Sequence, residues 1–303
     1  QIGTGYFGCR DEAGNFSEEL FRSKVSRPEI KMIEIKLSQG AKPGHGGILP
    51  AKKNTPEIAA IRHVKPYTTV ASPPYHTAFS SPRGLIEFIK RLRELSDGRP
   101  IGFKLCVGKK SEFVGICKAM VELDSYPDFI TVDGGEGGTG AAPQEFSNYV
   151  GAPMMDGLAF VHNMLVGYGI RQHVKVIASG KILSGFHILR AIALGADGCN
   201  SARAMMMALG CIQALLCNTN RCPTGITTQD PKLTVGLVVE DKKYRVANYH
   251  EEVVKSFVEL CGAAGVSEPG NLTRSHIYRR VFMNEVRTFE DVFPSLKPGC
   301  ILA

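Results

Sequence analysis

The 303-residue chain lacks the marks of several large protein classes. No apolar run reaches the roughly 18 residues that a membrane-spanning helix needs, and nothing at the start reads as a signal peptide. Lys and Arg outnumber Asp and Glu by 36 to 29, a net charge of +7, but they are spread along the chain. With no basic block and no basic stripe interleaved with aromatics, a nucleic-acid surface is excluded. There is no internal repeat and no low-complexity segment. Nine cysteines are too few, and odd in number, for a disulfide scaffold. Cys106, Cys117, Cys199 and Cys261 sit singly in apolar segments and read as reduced core thiols. What is left is a globular chain, 44% hydrophobic and 21% charged, with anionic ligands and the cytoplasm as its expected setting. It opens without methionine, directly into Gln1 to Gly8, which reads as the interior of a longer protein.

What is there is an alternation. Short β-rich runs at 31–37, 67–72, 101–107, 128–133, 174–179 and, more weakly, 196–201 are separated by helix-like stretches near 83–97, 111–123, 152–168 and 184–194. A further helix-like run covers 203–216. Strands alternating with helices imply βαβ units and a parallel sheet, and near-continuous apolar strands imply burial on both faces. Polar, Gly-rich loops follow the strands at their C-terminal ends again and again. In a barrel every such loop faces one site, so a (β/α)8 TIM-type barrel is expected over 1–231. The six strands are two short of closure, so the first two are expected upstream of Gln1, in a preceding segment or a partner subunit. Residues 232–303 read as a helical tail, with helices over Asn248–Cys261 and Thr273–Val281.

Four motifs carry chemistry. In Cys211-x5-Cys217-x4-Cys222-Pro223, three thiols lie close in sequence, with Pro directly after the last, as in ferredoxin-type segments. Core thiols or a zinc site with a fourth ligand are the alternatives. The run Val176 to Lys181, followed by Ser184-Gly185 and a helix, reads as a phosphate cradle that Cys199 to Arg203 would complete. Asp133 to Pro143 holds four glycines between Gly134 and Gly138, a composition tolerated where backbone approaches a ligand. Lys36 to Gly47 is a Gly-rich loop with cations suited to a dicarboxylate. Lys104, central in an apolar strand, needs an anionic partner, either a ligand or a core carboxylate such as Glu34. His76 sits at a strand end, whereas His63, His173 and His250 read as surface residues.

These segments together, IKLSQGAKPGHGGILP, SPPYH, IGFKLCVG, DGGEGGTGAAP and GCIQALLCNTNRCPTGITTQDP, resemble the FMN-binding synthase domain of glutamate synthases. Similarity to short FMN-binding glutamate synthase-like proteins covers nearly the whole chain. The resemblance implies FMN and a [3Fe-4S] cluster held by Cys211, Cys217 and Cys222. It implies an oxidoreductase acting on CH–NH2 donors, which reduces 2-iminoglutarate, formed from 2-oxoglutarate and ammonia, to L-glutamate. Electrons would come from a donor protein or reductase subunit. Lys104 would lie by the flavin, with Asp133, Gly134, Gly135, Gly180, Lys181, Asn200, Ala202 and Arg203 around the cofactor. Gln39, Lys42, Gly138 and Thr139 would line the substrate pocket, and Lys104, His45 and Gln39 would be the catalytic group. His45 stands where the large synthases have Glu, and these 303 residues include no glutaminase segment, so ammonia or an amine is expected from elsewhere. Two alternatives follow: an amine-using relative that makes an N-substituted glutamate, and a non-catalytic electron-transfer subunit holding only the cluster.

Overall fold

The computed structural model of the chain describes residues 1–137, 142–143 and 145–302. Helix α1 (Glu18–Val25) precedes strand β1 (Ile33–Lys36), and the two-residue strands β2 (Ile48–Leu49) and β3 (Val70–Ala71) flank α2 (Pro56–Arg62). Then come α3 (Pro82–Leu95), β4 (Ile101–Leu105), α4 (Lys110–Glu122), β5 (Phe129–Asp133), α5 (Met154–Gly167), β6 (Lys175–Ser179), α6 (Gly185–Ala193), β7 (Gly198–Asn200) and α7 (Arg203–Ala208). The C-terminal region holds α8 (Pro231–Thr234), α9 (Val239–Ala263), the strands β8 (Tyr278–Phe282) and β9 (Glu285–Thr288), and α10 (Phe289–Val292).

Strands β1, β4, β5, β6 and β7 form one parallel sheet in that spatial order. The order runs one way, without the reversal that defines a doubly wound sheet, so the fold is α/β of the (β/α)8 barrel type. The sheet does not close among the described residues. On the outer edge of β1, Ile2 makes a parallel bridge to Ile35.

Local sequence explains the helical layer. Ser81 caps α3 by accepting a hydrogen bond from the Gly84 amide at 3.0 Å, and Pro82 follows at the first helical position. Apolar residues at helical spacing, Leu85, Ile86, Ile89, Leu92 and Leu95, are then buried in the core. Each such burial contributes about 1.5–3 kcal/mol.

The two faces of the sheet differ. Lys36 lies opposite Lys104, Lys104 opposite Thr131, Asp133 opposite Ser179, and Ser179 opposite Asn200. Paired residues share a face. Ile33, Ile35, Ile101, Phe103, Leu105, Ile130, Val132, Val176 and Ala178 make the other face, and all are buried in the core. The strands are therefore not apolar on both sides, as their runs suggest. The inner face carries Glu34, Lys36, Lys104, Thr131, Asp133, Ser179 and Asn200.

Three further expectations are corrected. The run at 67–72 adds no strand to the parallel sheet. Its Val70 and Ala71 pair antiparallel with Leu49 and Ile48, and Asn54 pins the preceding turn through Lys65 O and Thr68 O. The helix expected over 203–216 ends at Ala208, because Gly210, Gln213 and Leu215 take positive φ values of 105°, 55° and 56°. Cys211 thus lies beyond the helix, not at its end. The segment Thr273–Val281 is not a helix: a capped turn at Arg274–His276 leads into β8, where Tyr278, Val281 and Phe282 favour a strand. The expected helix at Asn248–Cys261 lies within the longer α9.

Candidate functional site

At the C-terminal ends of the strands, three cavities lie in a row and share walls. The first has a volume of about 320 Å³ and is lined by Lys36, Gln39, His45, Arg62, Phe7 and Ser72, among others. No Asp or Glu is among its described lining residues. Lys36 reaches it as the last residue of β1. Burial lowers the Lys36 pKa first, and the charges of Lys104 and Lys42 add to that shift. Its ammonium donates to the side-chain oxygen of Gln39. Two guanidinium groups approach the Phe7 ring, Arg62 at 4.8 Å and Arg10 at 5.8 Å from its centroid, a contact that holds Arg62 at the wall. His45 is exposed at the rim, edge-on to Phe146 at 5.6 Å.

The second cavity, about 210 Å³, is lined by Gln39, Lys104, Asp133, Ser179, Gly180, Lys181, Asn200, Ala202 and Arg203. Lys104 pairs with Asp133 at 3.1 Å, not with Glu34, which accepts a hydrogen bond from Thr131 at 2.5 Å. Asp133 also accepts the Gly40 amide at 2.8 Å and the Ser179 hydroxyl at 2.9 Å. One carboxylate thus joins β5, β4, β6 and the loop after β1. Gly180 (φ 136°) and Lys181 (φ 50°) turn the chain sharply along the cavity wall. Gln39 lines both the first and second cavities.

The third cavity, about 390 Å³ and largely apolar, is lined by Cys211, Cys217, Lys53, Met206 and Thr227, together with Ala202 and Arg203 from the second. Lys53 donates to Cys217 O at 3.0 Å and to Thr227 O at 2.9 Å, tying the cysteine loop to the segment after β2. Cys222 is not in the lining. Burial pushes its thiol up, but hydrogen bonds from Thr224 and Thr227 outweigh that and hold its pKa at about 6. Among the described residues, no three His, Cys, Asp or Glu side chains are assembled as a metal site.

The structure therefore gathers Gln39, Lys104, Asp133, Gly180, Lys181, Asn200, Ala202 and Arg203 around one chamber. Lys42 lines none of the three cavities, although it is near enough to Lys36 to shift it. Gly134 and Gly135 lie behind the wall. Their amides donate to Ser179 O and Ala152 O, each at 2.8 Å. A Cβ on Gly40 would fall 1.8 Å from Gly134 O, and one on Gly134 would fall 2.5 Å from Met154 Cβ. Gly40 serves backbone-to-backbone packing against Gly134, and Gly134 makes room for the start of α5. Gly138 and Thr139 lie outside the described residues. His76 is buried: its ring meets Lys36 O at 2.9 Å and the Tyr6 hydroxyl at 3.2 Å, so it pins the end of β1.

Sequence reasoning missed Phe7, Arg62 and Lys53 and gave Lys36 no role of its own. Alternation could have found Lys36, two residues after Glu34 on the face that also bears Lys104. Nothing local marks the others, because the chain path alone brings Arg62, the last residue of α2, to the site.

Residues 1–267 match the family described as the conserved region in glutamate synthase. The glutamate synthase large subunit-like protein YerD of Bacillus subtilis is 43% identical over 92% of this chain and 53% of its own length. The archaeal glutamate synthase [NADPH] of Methanocaldococcus jannaschii is 35% identical over 88% of this chain and 49% of its own. The chain thus spans about half the length of these two relatives. A solved flavocytochrome b2 variant with sulfite bound aligns with TM-score 0.49 at 14% identity, over 84% of this chain and 49% of that one, too distant a likeness to add to the argument. With the match running unbroken from the first residue through α9, the chain belongs to the glutamate synthase family.

Proposed function

We propose that the chain is the FMN-binding part of a glutamate synthase-like oxidoreductase that reduces 2-iminoglutarate, derived from 2-oxoglutarate and ammonia, to L-glutamate. One observation carries this reading: three chambers in sequence, the first joined to the second by Gln39 and the second to the third by Ala202 and Arg203. Such a row suits substrate, flavin and an electron-carrying group.

FMN fits the second chamber by the chemistry of its donors. Lys181, Arg203 and Asn200 are suited to a phosphate, and Lys104 to the negative charge of a reduced ring. When bound, FMN supplies the hydride. Asp133 holds Lys104 in place, and Lys36 and Arg62 offer two cations for two carboxylates in a chamber whose described lining has no acid. Gln39, at the shared wall, can orient the imine carbon toward the flavin side. Cys211, Cys217 and Cys222 would hold an iron–sulfur cluster. The thiol chemistry fits, and two of the three line one cavity, but the three do not converge as a ligand set. An electron-donor protein or reductase subunit belongs to this proposal, as does a segment or subunit that extends the open sheet. No helix among the described residues is long and apolar enough to cross a membrane.

The test is a cofactor inventory of anaerobically purified protein, by visible spectrum, iron and sulfide content, and EPR. Flavin bands with an oxidised three-iron signal are expected, followed by glutamate formation from 2-oxoglutarate and ammonia. Iron without flavin would point to an electron-transfer subunit. N-methylglutamate formed with methylamine, in preference to glutamate with ammonia, would move the reading to an amine-using relative.

A further inference from the structure

A fourth cavity, of about 430 Å³, opens at the opposite end of the strands. One wall comes from the barrel: Arg171 before β6 and Gly195 to Asp197 before β7. The other comes from Gly270 to Arg274, Glu290 and Ser295, which lie beyond the region matched by the family.

Two opposite charges face this cavity without pairing. Arg274 is 3% exposed. Its guanidinium donates only to neutral acceptors: Phe293 O, Asn163 Oδ1 at 2.8 Å and Leu194 O at 3.5 Å. Glu290 accepts the amide and hydroxyl of Ser295 at 2.8 and 3.0 Å. Neither forms a salt bridge among the described residues, although both line the same space. Burial lowers the Arg274 pKa and the Glu290 charge raises it, so the two charges act on each other across the cavity without a direct ion pair. Arg171 and Asp197 neutralise each other at 2.7 Å, which leaves Arg274 and Glu290 as the opposite charges on the cavity wall that are not joined in a direct ion pair. A plain anion would be repelled by Glu290, and a plain cation by Arg274. We propose that this cavity is a binding site for a small zwitterionic α-amino acid, its carboxylate toward Arg274 and its ammonium toward Glu290, bridging barrel and tail.

The direct measurement is isothermal titration of the full chain with glycine, L-alanine, acetate and methylamine at constant ionic strength. Glycine and alanine lack the second carboxylate of the substrate proposed above, so the two sites are separable. Glycine or alanine is expected to bind at least about tenfold more tightly than acetate or methylamine. Glu290→Gln should abolish that preference by bringing glycine down to the level of acetate. Arg274 is buried and its replacement could unfold the tail, so Gly270→Phe is the steric control. A Cβ at Gly270 meets nothing within 4 Å, so the ring enters open space in a folded protein. It should weaken glycine binding at least about tenfold without lowering the melting temperature. Equal affinity for acetate and glycine in the native sequence, no binding of either amino acid, or binding untouched by both substitutions would overturn the proposal.

Discussion

Lys104 and Asp133 meet at 3.1 Å between adjacent strands, each side chain less than one-fifth exposed. The pair is the hinge of the second chamber, because the carboxylate also holds Gly40 and Ser179. Removing the carboxylate leaves a partly buried ammonium without its partner. Asp133→Asn should cost on the order of 3 kcal/mol of stability by denaturant titration and should lower bound flavin. Adding Lys104→Met should recover part of the stability and none of the flavin. Full flavin content in Asp133→Asn would remove the pair from the cofactor site.

Gly40 tests the loop packing. A methyl group there has to displace the Gly134 carbonyl, which lies 1.8 Å from where it would sit. Gly40→Ala should destabilise by about 1–3 kcal/mol, the usual range for overpacking, and should perturb both chambers at once. Calorimetry together with flavin titration would show it. Loss of flavin binding at unchanged stability would mean that the glycine faces ligand and not backbone.

The thiols should separate by reactivity in cluster-free protein. Cys222 has a pKa of about 6, whereas burial pushes Cys106, Cys117 and Cys199 up to about 12. The thiolate is the reactive form, so Cys222 alkylation should rise through pH 6 while those three stay inert up to pH 8. Thr224→Val removes a donor and should move the midpoint upward. Mass-spectrometric mapping of iodoacetamide labelling reads this directly.

His162 gives a pH dependence. Burial first, then the charges of Arg171 and Arg274, lower its pKa from 6.5 to about 4. Between those values the unfolded chain takes up a proton that the folded chain refuses. Stability should therefore be highest above pH 6.5 and fall as the pH drops toward 4, by up to about 3 kcal/mol from this residue. In His162→Gln, the difference in denaturation free energy between pH 7 and pH 5 should shrink. An unchanged difference would assign the acid sensitivity to other groups.

Much of the fold was legible because the strands and helices carry strong local patterns. The apolar positions of α3 needed only periodicity, and β4, β5 and β6 only their short apolar runs. The strand read at 67–72 failed because β-rich residues alone do not say which neighbour a segment pairs with. The run at 203–216 read as helix because its apolar spacing hid three positive-φ residues, only one of them glycine. At the site, Lys104 and the 180–203 loops were found as charged or Gly-bearing breaks in apolar segments. Arg62 and Phe7 were not found, since their place depends on a path through α2 that no short motif encodes. In the Gly-rich loop, Gly137 lines the second chamber, whereas Gly134 makes room for Met154 at the start of α5, a packing role that composition does not reveal.

The contact between Gly40 and Gly134 has one more consequence. With no side chain between them and the Gly40 amide bonded to Asp133, the loop after β1 is joined to the C-terminal end of β5 as a single wall. The Gly40 loop leads from Gln39 to His45, so a displacement of it at the first chamber moves the wall of the second as well. Exchange of small molecules in the two chambers should share one opening rate and one temperature dependence.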